Sequence, residues 1–98
     1  MKMQSTLNVA ADHPAFAGHF PAFPVLPGAI LLDEMLAAIQ SSRGIDLKSW
    51  HVSSVKFLDA VRPLDSLVLE HEAAAPGLIR FTISVDARRI ASGTLHES

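Results

Sequence analysis

Three prolines spaced three residues apart, Pro21, Pro24 and Pro27, followed at once by Gly28 and a long run without Gly or Pro, constrain this chain more than any other feature. Each proline fixes φ near about −65° and pushes the residue before it towards extended backbone. The stretch is therefore a rigid, non-helical loop. Ala29 to Ser42 is rich in Leu, Ile, Ala and Met, mostly good helix formers, and Pro27-Gly28 marks the start of a helix. Its apolar residues, from Ala29 to Ile39, cover every side at about 100° per residue, so the helix is expected to be enclosed by other structure. Gly44 is placed to stop it, and Arg43 sits where a cation suits the helix dipole.

The chain has 98 residues, which argues for one domain spanning 1–98 with a modest core that a partner subunit would help to complete. Hydrophobic residues make up 49% and charged residues 18%, which argues against disorder. No apolar run reaches the roughly 20 residues of a membrane span, and the N-terminus carries no secretion signal, so a soluble, cytoplasmic protein is expected. The absence of cysteine removes disulfides, thiolate nucleophiles and Cys-type zinc sites. A formal charge of −2 gives no overall field for nucleic acid.

Outside the helix the apolar period is two. Thr6 to Ala10 alternates weakly and reads as a short first strand. From Trp50, Val55 and Phe57 alternate with Ser54, Lys56 and Leu58 until Arg62-Pro63-Leu64-Asp65 turns the chain. Leu67, Leu69 and Ala73 then share one face, and Ala75-Pro76-Gly77 is a turn. Ile79, Phe81, Ile83 and Val85 alternate strictly with polar residues, which predicts one buried face and one wet one. Ile90 to Leu95 can pair back as a last strand. One apolar helix and one sheet with a single apolar face give an α+β architecture in which the antiparallel sheet wraps around the central helix.

His19 precedes the proline loop, and an imidazole titrating near neutral pH is the commonest general base. A lone histidine is more often a surface or capping residue, but the apolar loop beside it, with Phe20, Pro21, Val25, Leu26 and Pro27, suggests a substrate slot. Asp33 and Glu34 interrupt the apolar helix; they also suit plain dipole partners near its N-terminus. Asp33 shares a stripe with Ala29, Ile30, Leu36 and Ala37, so it is the acid expected in a dry setting, where desolvation would raise its pKa, and Glu34 the outward one. Gly28 would offer a helix-start N–H to a carbonyl oxygen gaining charge, and its missing Cβ would let a substrate approach. A base, an acid and an oxyanion donor are the parts needed to eliminate water β to a carbonyl. His13 with His19 makes a poor metal pair, since neither Cys nor helical spacing supports it, and His51, His71 and His96 read as strand or tail residues. No metal or organic cofactor is expected.

At Gly18-His19-Phe20-Pro21, Pro24-Val25-Leu26-Pro27-Gly28 and Asp33, fourteen residues after His19, the sequence resembles the 3-hydroxyacyl-acyl-carrier-protein dehydratases of bacterial fatty-acid synthesis, a hotdog-fold family. Val55-Lys56-Phe57 and Arg62-Pro63-Leu64-Asp65-Ser66-Leu67 extend the likeness over most of the chain. The resemblance implies His19 as base, Asp33 as acid and the Gly28 N–H as thioester-polarising donor, with His and acid meeting across a dimer interface. It implies a 3-hydroxyacyl thioester on acyl carrier protein as substrate and a homodimer, or higher oligomer, with shared sites. Two departures stand out. Ala37 occupies the position one turn after the acid where the family commonly has Gln, and the chain is shorter before His13 than the usual dehydratase, like short members of aryl-polyene-type lipid clusters. Lys56, Arg62, Arg80, Arg88 and Arg89 are candidates for a basic rim towards an acidic carrier; ordinary solvated strand residues are the alternative for each. Two other functions fit the same parts: a hotdog acyl thioesterase, and a non-catalytic carrier-binding subunit that pairs with an active homologue.

Overall fold

A computed structural model describes residues 2–7, 26, 28–62 and 65–98. Five strands, β1 (Lys2–Leu7), β2 (Trp50–Phe57), β3 (Leu67–Ala75), β4 (Leu78–Val85) and β5 (Arg88–Glu97), pair antiparallel in the order β1-β3-β4-β5-β2. One helix, α1 (Gly28–Arg43), joins β1 to β2 in the chain, with a short 3₁₀ turn at Leu47–Ser49 before β2. The core is built where period two meets period 3.6: Leu67 and Leu69 of β3, Ile79, Phe81 and Ile83 of β4 and Ile90 and Leu95 of β5 are buried in one cluster with Leu31, Met35 and Ile39 of α1. No helix among the described residues is long and apolar enough to cross a membrane.

The helix begins and ends where the sequence indicates. Gly44 takes φ 64°, and its N–H donates to the Gln40 carbonyl at 2.9 Å, a left-handed stop that favours glycine. The strictly alternating strand is β4, with Ile79, Phe81, Ile83 and Val85 inward and Arg80 exposed. Gly77 adopts φ 72° in the β3–β4 turn, and Asp86 reaches φ 52° in the tight β4–β5 turn, a conformation that Asp tolerates better than most residues.

Three expectations need correction. The first strand spans Lys2–Leu7 and not Thr6 to Ala10; Asn8, Val9 and Ala10 lie outside the described residues. Its inward positions are Met3, Ser5 and Leu7, and the polar Ser5 hides the alternation; the Ser5 hydroxyl is satisfied by the Ser42 hydroxyl of α1 at 3.0 Å. In β3 the third inward residue is His71, 1% exposed, where an ordinary strand residue was expected. Ala73, expected inward, is exposed beside a register shift between Ala73 and Ala75. Finally, α1 is not enclosed by the described strands. Leu31, Met35 and Ile39, at i, i+4 and i+8, are at most 2% exposed, whereas Ala29, Asp33 and Ala37 form an exposed stripe. A single sheet covers one side of a helix, and the other side of α1 stays open among the described residues.

A second irregularity sets the course of β2. The β2–β5 register shifts between Val52 and Ser54, so Ser53 and Ser54 both oppose Thr94, whose Oγ1 lies 2.6 Å from Ser53 Oγ and 3.1 Å from Ser54 Oγ. The extra residue restores Val55 and Phe57 to the face that Trp50 and Val52 begin.

His71 ties the sheet to the end of the helix. Arg43 Nε donates to His71 Nδ1 at 2.8 Å, and Arg43 Nη2 donates to the His71 carbonyl at 3.2 Å. Because Nδ1 accepts, Nε2 carries the proton of the neutral ring, and that buried N–H has no partner among the described residues, at a cost of about 1–3 kcal/mol. Burial, and then the adjacent Arg43 charge, hold the imidazole pKa below its ordinary value. A histidine with a depressed folded pKa contributes stability that is present above its unfolded pKa and lost as pH falls through the folded one. Unfolding midpoints should therefore fall on acidification below about pH 6.5. His71→Gln, which keeps an acceptor for Arg43, should flatten that component; chemical denaturation of both proteins from neutral to mildly acidic pH checks it.

Candidate active site

Gly28 is the first residue of α1, so its N–H and those of the next turn lack intrahelical acceptors. Leu26 N donates to the Val61 carbonyl at 2.8 Å, and Leu26 is buried in the core cluster. That bond fixes the approach to Gly28 against the β2–β3 connection. The connection is itself braced. Arg88 Nη1 bonds Asp59 at 2.7 Å, its Nη2 lies 3.5 Å from Asp65, and Asp65 accepts from the Arg62 N–H at 2.8 Å. The Arg88 hydrogen bond holds the Asp59 carboxyl below its usual range.

The space a Cβ would fill at Gly28 is already taken. The Phe57 ring lies there, its Cζ 2.8 Å and its Cε atoms 3.0 and 3.2 Å from where that Cβ would stand. The missing side chain, expected to admit a substrate, instead seats an aromatic ring from β2. The sequence shows Phe57 only as the last alternating residue of a strand, and no local signal ties it to a glycine 29 positions earlier. The ring is 49% exposed and Leu58 beside it 53%, the two large apolar side chains most open to solvent among the described residues.

Asp33 is exposed and Glu34 half-buried, the reverse of the expected roles in this single chain. The reason is angular: Asp33 follows Leu31 by two residues, about 200° around the helix, and so points away from the sheet. Ala37 follows Asp33 on the same stripe and offers it no hydrogen bond. His19, Phe20, Pro21, Val25 and Pro27 lie outside the described residues, as does His13.

The candidate basic rim divides. Arg88 is committed to Asp59 and Asp65, whereas Lys56 and Arg62 are exposed. Arg80 and Arg89 line a separate groove with Lys2, Glu70 and Glu72, where the acids balance much of the positive charge. His51 and His96 face each other across β2 and β5 with ring centroids 5.9 Å apart, both exposed. Among the described residues no three His, Cys, Asp or Glu side chains converge as metal ligands.

An antiparallel sheet of five strands on one long helix, with glycine at the helix start, is the hotdog fold of the α+β class. The chain belongs to the ApeI-like family, described as ApeI dehydratase, which matches residues 1–94. It is 29% identical over 105 residues to the 3-hydroxyacyl-acyl-carrier-protein dehydratase FabZ of Ruminiclostridium cellulolyticum, with 96% of this chain and 74% of that protein covered. It is 37% identical over 75 residues to FabZ of Lawsonia intracellularis, covering 66% of this chain and 49% of that one, so it spans from about half to three quarters of these relatives. The dehydratase heterocomplex ApeI:P of Xenorhabdus doucetiae superposes with a TM-score of 0.75 at 25% identity, covering 97% of this chain and 85% of that chain. The family expected from the His19-to-Asp33 pattern is the one found.

The Gly28–Phe57 contact is testable by a double-mutant cycle. Gly28→Ala forces the ring aside and should destabilise the protein by about 1–2 kcal/mol, the scale of mild overpacking. In a Phe57→Ala background most of that penalty should vanish, read as unfolding midpoints in denaturant.

Proposed function

We propose that this chain dehydrates a 3-hydroxyacyl thioester, carried on acyl carrier protein, to the trans-2-enoyl thioester as a soluble cytoplasmic enzyme. The observation that carries the reading is the match of the ApeI-like dehydratase family over residues 1–94, which takes in His19, Gly28 and Asp33 together. In this mechanism the Gly28 N–H, one of the donors at the start of α1 that lack an intrahelical acceptor, hydrogen-bonds the thioester carbonyl oxygen. That bond strengthens as the oxygen gains enolate charge. His19 takes the proton from the carbon next to the carbonyl. The C–O bond to the 3-hydroxyl breaks as Asp33 delivers a proton to the departing oxygen, and water leaves. A proton passing from His19 back to Asp33, directly or by way of solvent, restores both groups.

The bare side of α1 supports a second subunit. Asp33 sits on an exposed stripe flanked by the half-buried Ile30, Leu32 and Leu36. We place a second copy there, giving a homodimer in which Asp33 works in a water-poor site and pairs with the His19 of the other copy. A heteromeric arrangement is the second reading, favoured by the likeness to the ApeI:P heterocomplex. In it the partner would be a related hotdog subunit, and this chain could serve chiefly to bind carrier.

Turnover of a panel of 3-hydroxyacyl-carrier proteins, followed by mass spectrometry, should show loss of water without release of thiol. His19→Ala and Asp33→Asn should each lower the rate by about a hundredfold or more. Mixing the two inactive variants, with subunits allowed to exchange, should restore about a quarter of the activity if each site draws on both copies. Absence of turnover on every hydroxyacyl thioester, alone and with a related subunit added, would overturn the catalytic reading.

A further inference from the structure

We infer that Phe57 is a specificity-determining residue: its ring forms one wall of the space in front of the Gly28 amide and limits the bulk that the acyl group can carry next to the thioester. The inference rests on the dehydratase reading above and adds to it a residue that the reading does not use.

The ring lies within 2.8 to 3.2 Å of the position of an absent Cβ on Gly28, so a group approaching the helix-start N–H from that side meets Phe57 first. It is also half bare, at 49% exposure. An aromatic ring serving only the core would be enclosed, as Phe81 is at 2%. The backbone beneath it is held on both sides. Phe57 pairs with Ala91 of β5, and the N–H groups of Leu58 and Asp59 both donate to the Ile90 carbonyl, at 2.8 and 3.3 Å. A few residues on, Val61 accepts from Leu26 just before the helix. The wall therefore stands on fixed backbone, tied through two strands and one loop bond to the start of α1, while its outer half is free to contact a ligand. Discrimination of a methyl or methylene by such an apolar wall is typically 10- to 200-fold.

The test compares wild type, Phe57→Ala, Phe57→Leu and Phe57→Trp on carrier-bound 3-hydroxyacyl chains with and without a methyl branch at the carbon next to the thioester. The readout is the ratio of kcat/KM for the branched to the unbranched substrate. Phe57→Ala should raise that ratio about tenfold or more, Phe57→Leu by less, and Phe57→Trp should lower it, chiefly through KM. A role in stability alone would lower turnover of both substrates by the same factor and leave the ratio unchanged, which overturns the inference while the dehydratase reading stands. Wild-type protein that turns over neither substrate would overturn both. Should Phe57→Ala fail to fold, the opposite shifts expected of Leu and Trp decide the matter.

Discussion

The contact of Leu31, Met35 and Ile39 with the buried face of the sheet is the interaction around which the rest is arranged. Those three residues repeat every four positions and form a narrow stripe, whereas apolar side chains surround the helix from Ala29 to Ile39. The core of one chain uses only part of what the helix offers. Ile30, Leu32, Leu36 and Ala38 pack partly against it, and the Ala29, Asp33 and Ala37 stripe is left uncovered. An acid on the outer side of a helix this apolar makes little sense for an isolated domain, where a surface helix would carry a broad polar face. It makes better sense if the acid is meant to be dried by something docked on top.

That logic separates the two chemical ends of the site. The proposed donor end, at Gly28, is constructed within one chain from α1, β2 and the bond between Leu26 and Val61. The proposed acid end, at Asp33, is exposed among the described residues. In the homodimer proposed here, the enclosure of the Asp33 carboxyl group comes with the second subunit, so activity and association are linked.

The sequence made the helix and β4 legible because their periods are clean and their ends carry recognisable residues: Gly44 at the stop, and Pro76-Gly77 before the strictly alternating Ile79 to Val85. The His19-to-Asp33 pattern likewise led to the right family before any fold was in view. What stayed hidden has physical causes. Ser5 faces inward because Ser42 answers it, so β1 breaks the apolar–polar alternation by which strands are found. His71 is buried because Arg43, 28 residues earlier, supplies a donor; a long-range polar pair leaves no trace in a local window. The bulge at Val52/Ser54 shifts the phase of β2, and only three-dimensional contact shows Phe57 resting on Gly28. The side taken by Asp33 was misjudged for another reason. All-round apolarity gives no angular preference, so only the packing stripe decides which way is out.

The bond from Leu26 to Val61 at one end of α1 and the Arg43–His71 clasp at the other have a joint consequence. A rod gripped at both ends has little freedom to spin about its long axis, so the bearing of Asp33 is set within the chain itself. In the proposed homodimer, association would leave side chains and solvent to rearrange but no helix to re-aim, which keeps its ordering entropy low. The same grip limits adaptation: a new angle for Asp33 would require rebuilding an anchor at one end of the helix or the other.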